Sequence, residues 1–377
     1  MLIGFDASRI NIGVKTGIEN YSTKLLHWLK KNDHKNQYLL YTPNDNDPEF
    51  LDLPPNFHIK KFTFPFFWTQ LRLAWCLLFC KQKPDLVFVP SNAIPFLFIL
   101  FNRRIKKVVT IHDVAFKYFP SSYSFINRFY LNLSIIFSVK FADKIITISQ
   151  TTKNDLIKFY GADEKKIEVT YLGFAAGDEE IKKEDVERTK EKFGINKEYL
   201  FYLGRIETKK NIVNLVRAFY ELLSEEYDLQ LVLAGKKGFG FEKIEEVLKE
   251  LNVKDRVIIT GYVNEKERQV LLENSSALTF VSLYEGFGIP VLDSFSAGVP
   301  VVLSKIPVFE ELYSKASILV DPQDVQEIKE GIKKVLENKK TRERLIKSGK
   351  ELLKNFSWEK CARETLEILG LMVNFRG

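Results

Sequence analysis

Short apolar runs alternate along this chain with longer stretches whose apolar residues recur every three or four positions. In the first half the short runs are LIGFDA, QYLLYT, DLVFVP, VVTIHD and KIITIS, rich in Val, Ile, Leu, Phe and Tyr. These read as strands. The stretches between them read as helices, for example Gly17–Lys31 and Tyr123–Lys140. After a polar, charge-dense segment around residues 177–188 the pattern restarts with YLFYLG, LQLVLAG, VIITGY, ALTFVS and VPVVLS. Alternation of this kind predicts an α/β fold with parallel sheets covered on both faces, and its restart predicts two doubly wound, Rossmann-like domains facing a cleft. Ligands of such sheets bind at the carboxyl ends of the strands. A length of 377 residues agrees, being too long for one ordinary core.

Composition narrows the class. Hydrophobic residues at 45% with 28% charged residues describe a globular chain. The opening MLIGFDASRINIGVK has no basic stretch before its apolar run and reads as a first strand, not a signal peptide. Phe62–Cys80 is aromatic (Phe62, Phe64, Phe66, Phe67, Trp68, Trp75), but Pro65, Gln70 and Arg72 interrupt it; Ala93–Phe101 is about half the length a membrane span needs. Neither spans a bilayer. The aromatic cluster fits either a core-covering loop and helix or a surface lying on a membrane interface. Cys76, Cys80 and Cys361 have neither metal-ligand spacing nor partners for a disulfide framework, which points to packing roles and a reducing cytoplasm.

Charge adds an asymmetry. Of the net +7, all the excess lies in residues 1–178, with 23 Lys and Arg against 15 Asp and Glu. That half is expected either to meet an anionic surface or acceptor, or simply to carry solvated charge. The basic residues are dispersed and form no nucleic-acid-binding module, so no nucleic acid is expected as partner.

Four segments carry candidate chemistry. In SLYEGFGIPVLDSFSAGVPVV, residues 282–302, a strand ends, a Gly-flanked turn follows, and Pro290 suits the start of a helix. Gly286 and Gly288 allow close backbone approach, and the helix start offers an anion site. Glu285 and Asp293 flank that turn, and their carboxylates suit hydroxyl donors on either side of a phosphate. A helix start with acidic residues favoured by its dipole is the plainer alternative. In YLGRIETKKN, residues 202–211, Arg205 and Lys210 surround a strand-to-helix connection and could clamp a diphosphate. His112 ends the strand of VTIHDVAF. In KTGIENY, Gly17 gives a ligand backbone access, and Thr16 with Glu19 has the form of a capping box.

Rival chemistries have weaker support. Asp45-Asn46-Asp47 matches the Asp-x-Asp pattern of metal-dependent transferases, yet NDNDP is also a turn composition, and no metal site is expected. A nucleotide-sugar epimerase would need further acid–base groups, and His27, His34 and His58 show no evident pairing. A non-catalytic nucleotide-sugar-binding protein would keep the clamp and release no nucleotide.

Taken together, TGIENY, IHD, KIITISQTTKNDL, GRIETKKN, GYVNEKE, EGFGIPVLD and the closing FSWEKCARETLEIL resemble family 4 of the glycosyltransferases, over nearly the whole chain. The resemblance implies the GT-B fold, with residues 1–178 plus a crossover helix 357–377 as the acceptor side and residues 179–356 as the nucleotide-sugar side. It implies retention of anomeric configuration and transfer of a mannosyl- or glucosyl-type hexose from a nucleotide-diphosphate sugar, GDP-mannose or a UDP-hexose, with no metal or other cofactor. A saccharide or lipid-linked saccharide acceptor is implied, as in surface polysaccharide synthesis, with peripheral association at an anionic membrane.

Residue by residue, Arg205 and Lys210 would hold the diphosphate, and the backbone of Gly286, Phe287, Gly288 and Ile289 would cradle it. Glu285 would contact the transferred sugar, and His112 would reach it from the other domain. Gly17 would lie against phosphate or sugar, and the backbone at Val263 would receive the base. The family usually carries Glu at both ends of the EGFGIPVLD segment. Asp293 stands at the second, where the side chain accepts from the ribose hydroxyls.

Overall fold

The strands form because continuous apolar runs can be buried on both faces only inside a covered parallel sheet. In the first sheet β1 (Leu2–Asp6), β2 (Gln37–Thr42), β3 (Phe57–Lys61), β4 (Leu86–Val89), β5 (Lys106–Ile111), β6 (Lys144–Thr147) and β7 (Ile167–Val169) are all parallel, in the order β3-β2-β1-β4-β5-β6-β7. Every residue of β4 is buried, as are all but the first of β1 and β5. This computed structural model describes residues 1–10, 17–62, 68–96, 98, 104–175 and 180–372. It divides into two compact units, residues 1–173 with 356–377, and residues 174–355.

The second unit repeats the plan with β8 (Glu198–Leu203), β9 (Leu229–Ala234), β10 (Val257–Gly261), β11 (Ala277–Phe280), β12 (Val301–Ser304) and β13 (Ile318–Val320), again all parallel. Their order is β10-β9-β8-β11-β12-β13, so the strand order reverses between β8 and β11. The helix Ile212–Ser224 shows how the covering layer is built. It buries Ile212, Leu215, Val216, Phe219 and Leu222, one stripe at helical spacing.

All ten strands expected from the sequence are present. Among the described residues there are three more, β3, β7 and β13, that the apolar pattern does not predict. Each lies at the edge of its sheet. An edge strand is covered less completely, so it needs no long apolar run: β3 is FHIKK, and β7 and β13 have three residues each. The helix expected over 123–140 runs Phe125–Phe141, capped by Ser124, whose Oγ accepts from the N–H of Asn127 at 3.3 Å. It buries Ser134, Ile135 and Ser138 while Phe125, Ile126 and Phe129 are 72%, 77% and 61% exposed.

The final helix, Trp358–Leu371, belongs to the first unit. Ser357 caps it, accepting from the N–H of Lys360 at 3.0 Å. Trp358, Cys361, Ala362, Thr365 and Leu369 are buried, and the Trp358 ring lies 6.2 Å from that of Tyr21. Where the chain leaves β7, Gly173 passes so close to this helix that a Cβ would stand 2.1 Å from the backbone nitrogen of Trp358. Only a residue without a side chain fits there. Gly173→Ala is therefore expected to push the helix off its seat and lower stability by about 1–3 kcal/mol, the usual range for overpacking. Calorimetric melting checks this; an unchanged melting temperature would contradict the packing described.

Candidate active site

The reversal between β8 and β11 sends the two strand-end connections to opposite faces and opens a crevice between them. Glycines let the strand ends crowd together. Gly204 donates its N–H to the Ala234 carbonyl (2.9 Å) and Gly235 to that of Gly261 (2.8 Å). Gly235 has φ +152°, and a Cβ there would stand 1.8 Å from the Gly204 oxygen. Beyond β8 the chain makes a short turn at Thr208–Lys210 and enters its helix through Asn211, in the left-handed region at φ 59°. The Asn211 amide donates to the carbonyls of Val281 (3.1 Å) and Pro322 (2.7 Å), and Leu283 N–H donates to Lys209 O (2.9 Å). The loop after β8 is thereby stitched to the loop after β11.

This stitching brings Lys210 and Glu285 together. Nζ lies 2.5 Å from Oε1, and the side chains are 13% and 12% exposed. Ser282 Oγ donates to the same oxygen at 2.7 Å. A shielded pair of this kind is strongly oriented. Arg205 stands apart from it, 66% exposed and 3.8 Å from Glu207.

Past Glu285 the chain buries Gly286, Phe287 and Gly288, then starts the helix Ile289–Ala297. Gly288 caps it at φ 97°, where a Cβ would meet the Phe309 ring at 2.7 Å, and Pro290 is in its first turn. The first N–H groups of this helix have no acceptor within it, and its dipole favours an anion. Asp293 lies one turn further. Burial pushes its carboxyl up to about 6, against the pull of Arg268, whose Nη1 is 2.5 Å from Oδ2. Val263 is buried two residues after β10, just before Asn264 caps the helix Glu265–Glu273.

In the first unit His112 follows β5 and is buried, its ring edge-on to Tyr21 at 4.9 Å. Burial holds its pKa below the usual histidine range, against the opposing effects of the Pro90 carbonyl, Asp113 and Glu19. Nε2 is 3.1 Å from the Pro90 carbonyl, which can only accept, so Nε2 carries the proton and Nδ1 of the neutral ring is an acceptor. Gly17 opens the helix Gly17–Asn32, and nothing stands within 4 Å of where its Cβ would be. Thr16, the other half of the expected capping box, lies outside the described residues.

Lys210 and Glu285 are thus in contact, Asp293 and Val263 sit at neighbouring helix starts, and Arg205 pairs elsewhere. Three further residues escaped the sequence reading. Asn211, directly after the two lysines, offers a faint signal as an Asn entering a helix; Ser282 and Arg268 offer none. His27 does have a partner, its Nδ1 lying 3.0 Å from Glu49, which also holds Lys30. Asp45 is paired with Lys61 at 2.6 Å, and Asp47 caps the turn Pro48–Phe50.

Two doubly wound units, one with a shielded cation–carboxylate pair beside a glycine-capped helix, have the architecture of GT-B transferases. Residues 15–176 match the model of Glycosyltransferase Family 4 and residues 183–352 that of Glycosyl transferases group 1; the chain belongs to this family and is a glycosyltransferase. It is 28% identical over 306 residues to O-antigen chain mannosyltransferase B of Escherichia coli, covering 80% of this chain and 77% of that one. It is 28% identical over 269 residues to O-antigen chain mannosyltransferase RfbU of Salmonella typhimurium, covering 71% and 69%. In structure it is similar to Anabaena HepE in complex with UDP-glucose, with TM-score 0.75, 18% identity and coverage of 98% and 99%. That last likeness bears on the fold, which is GT-B.

Proposed function

We propose that this glycosyltransferase moves a mannosyl- or glucosyl-type hexose from a nucleotide-diphosphate sugar, with retention and without a metal, to a saccharide or lipid-linked saccharide in surface polysaccharide synthesis. The observation that carries the reading is the Lys210–Glu285 pair at the strand-order reversal, one short turn from the helix start at Ile289. The two O-antigen mannosyltransferases support the mannosyl option, and the UDP-glucose complex of HepE the glucosyl one.

In this reading the diphosphate lies on the helix start at Gly286–Ile289, with Lys210 and Arg205 against its oxygens. Glu285, held in place by Lys210 and Ser282, accepts from hydroxyls of the sugar. As the bond from the anomeric carbon to phosphate oxygen breaks, the acceptor oxygen bonds to that carbon from the same face. The departing phosphate takes the acceptor's proton, while Lys210 and Arg205 offset its growing charge. His112 accepts from a sugar hydroxyl through Nδ1 and serves to position it. Gly17 admits phosphate or sugar to the backbone, the Val263 backbone receives the base, and Asp293 the ribose.

Glu285→Ala and Lys210→Ala are each expected to cut turnover at least about tenfold with the fold intact. The assay follows released nucleoside diphosphate, which separates transfer from epimerisation. Near-normal turnover in either variant would show that the site is elsewhere.

The acceptor reading draws support from the first unit's surface. The helix Phe125–Phe141 turns two serines inward and Phe125, Ile126 and Phe129 outward. Residues 114–142 contain Lys117, Arg128 and Lys140 and no Asp or Glu. A second exposed stripe, Leu71, Trp75 and Phe79, is spaced four residues apart beside Arg72. The two segments are joined where Gln70 donates to the Tyr130 hydroxyl at 3.3 Å. Among the described residues no helix is long and apolar enough to cross a membrane. Apolar faces bordered by cations suit the headgroup layer of an anionic bilayer, here the inner face of the cell membrane, where a lipid-linked acceptor would be met. The protein is expected to float with phosphatidylglycerol vesicles at low salt, and the combined Phe125→Ser, Ile126→Ser, Phe129→Ser variant to stay in solution with unchanged melting. Wild-type protein that does not float would contradict membrane docking. A dimer dissolved by the same changes would assign the face to a second copy instead.

A further inference from the structure

The Asp293 carboxylate is not free to turn. Arg268, on the neighbouring helix Glu265–Glu273, places Nη1 2.5 Å from Asp293 Oδ2, and its Nη2 lies 2.5 Å from Glu265 Oε1. One planar guanidinium is thereby strung between two carboxylates, one shielded within the unit and one largely in solvent. A rigid fork tied at two corners fixes the orientation of what it holds. It occupies one oxygen of Asp293 and leaves Oδ1 for another donor. Both helices in this contact begin at segments already placed in the donor site: Val263 precedes the cap of one, and Gly288 caps the other.

The contact also answers a question of reach. Asp is one methylene shorter than the Glu usual at this position, and it is attached to a helix whose start is fixed by the fit of Gly288 against Phe309. A short carboxylate that swung freely would meet the ribose in few of its rotamers. Burial alone would favour the protonated carboxyl, which donates to a hydroxyl instead of accepting from it. A guanidinium beside it opposes that tendency and limits the rotamers together.

We infer that Arg268 is a positioning residue for the donor: it holds the short Asp293 side chain so that its second oxygen accepts from the ribose hydroxyls. The inference rests on the reading that Asp293 serves the ribose, and the test separates the two. Calorimetric titration in EDTA compares GDP and UDP with their 2′,3′-dideoxy counterparts, for wild type, Arg268→Ala, Arg268→Lys and the double variant Arg268→Ala, Asp293→Glu. Wild type is expected to prefer a ribonucleotide at least about tenfold, the worth of roughly one charge-assisted hydrogen bond. Arg268→Ala should lose most of that preference while binding the dideoxynucleotide as before. Arg268→Lys, which keeps the charge without the fork, should fall between and tests the idea should the alanine variant fold poorly. The longer Glu in the double variant should restore part of the preference. An undiminished preference in Arg268→Ala, or in Arg268→Lys where that variant stands in for it, would overturn the role of Arg268 and leave that of Asp293 standing. No preference in wild type would overturn the ribose reading itself, and the inference with it.

Discussion

A parallel sheet delivers all its strand carboxyl ends to one edge, and the edge opens where the strand order reverses. In the second unit that place lies between β8 and β11, and the contact of Lys210 with Glu285 depends on it. The loops that leave these strands are separate in sequence, with Lys210 and Glu285 75 positions apart. They are joined by backbone-directed hydrogen bonds from Asn211 and Leu283. The charged pair is a consequence of that stitching. Two exposed side chains would gain little from such a contact, whereas a shielded pair with a further Ser282 hydrogen bond is held in one geometry.

The first unit prepares its candidate residue by packing. The closing helix seats Trp358 near Tyr21, Tyr21 bonds Thr110 through its hydroxyl at 3.1 Å, and its ring meets the edge of His112. His112 is neutral because it is buried, and its tautomer follows from the Pro90 carbonyl. Gly173 makes the arrangement dense by letting the chain pass against the start of the helix. One unit thus presents an uncharged acceptor nitrogen. The other presents paired charges beside a helix start.

The sequence made the interior of both sheets legible because a strand buried on both faces must be apolar along its length. Edge strands carry no such obligation, which is why FHIKK passed unread. The glycine-flanked turn and the cations Arg205 and Lys210 were visible because helix starts and strand-to-helix turns leave local marks. Arg268 left none: its partner Asp293 is 25 residues away, and their contact arises from the packing of two helices. The helix Phe125–Phe141 was legible as a helix, but apolarity alone would turn Phe125 and Phe129 inward, and the fold leaves both exposed while it buries Ser134 and Ser138.

The site proposed in the second unit takes a nucleoside diphosphate without a metal. Its most direct test is thermal-shift binding of GDP, UDP, dTDP and ADP with EDTA present, since a ligand that binds the native state raises its stability. One nucleotide is expected to stabilise the protein selectively under these conditions. Stabilisation that appears only when Mg²⁺ is added would contradict it and direct attention to Asp45 and Asp47.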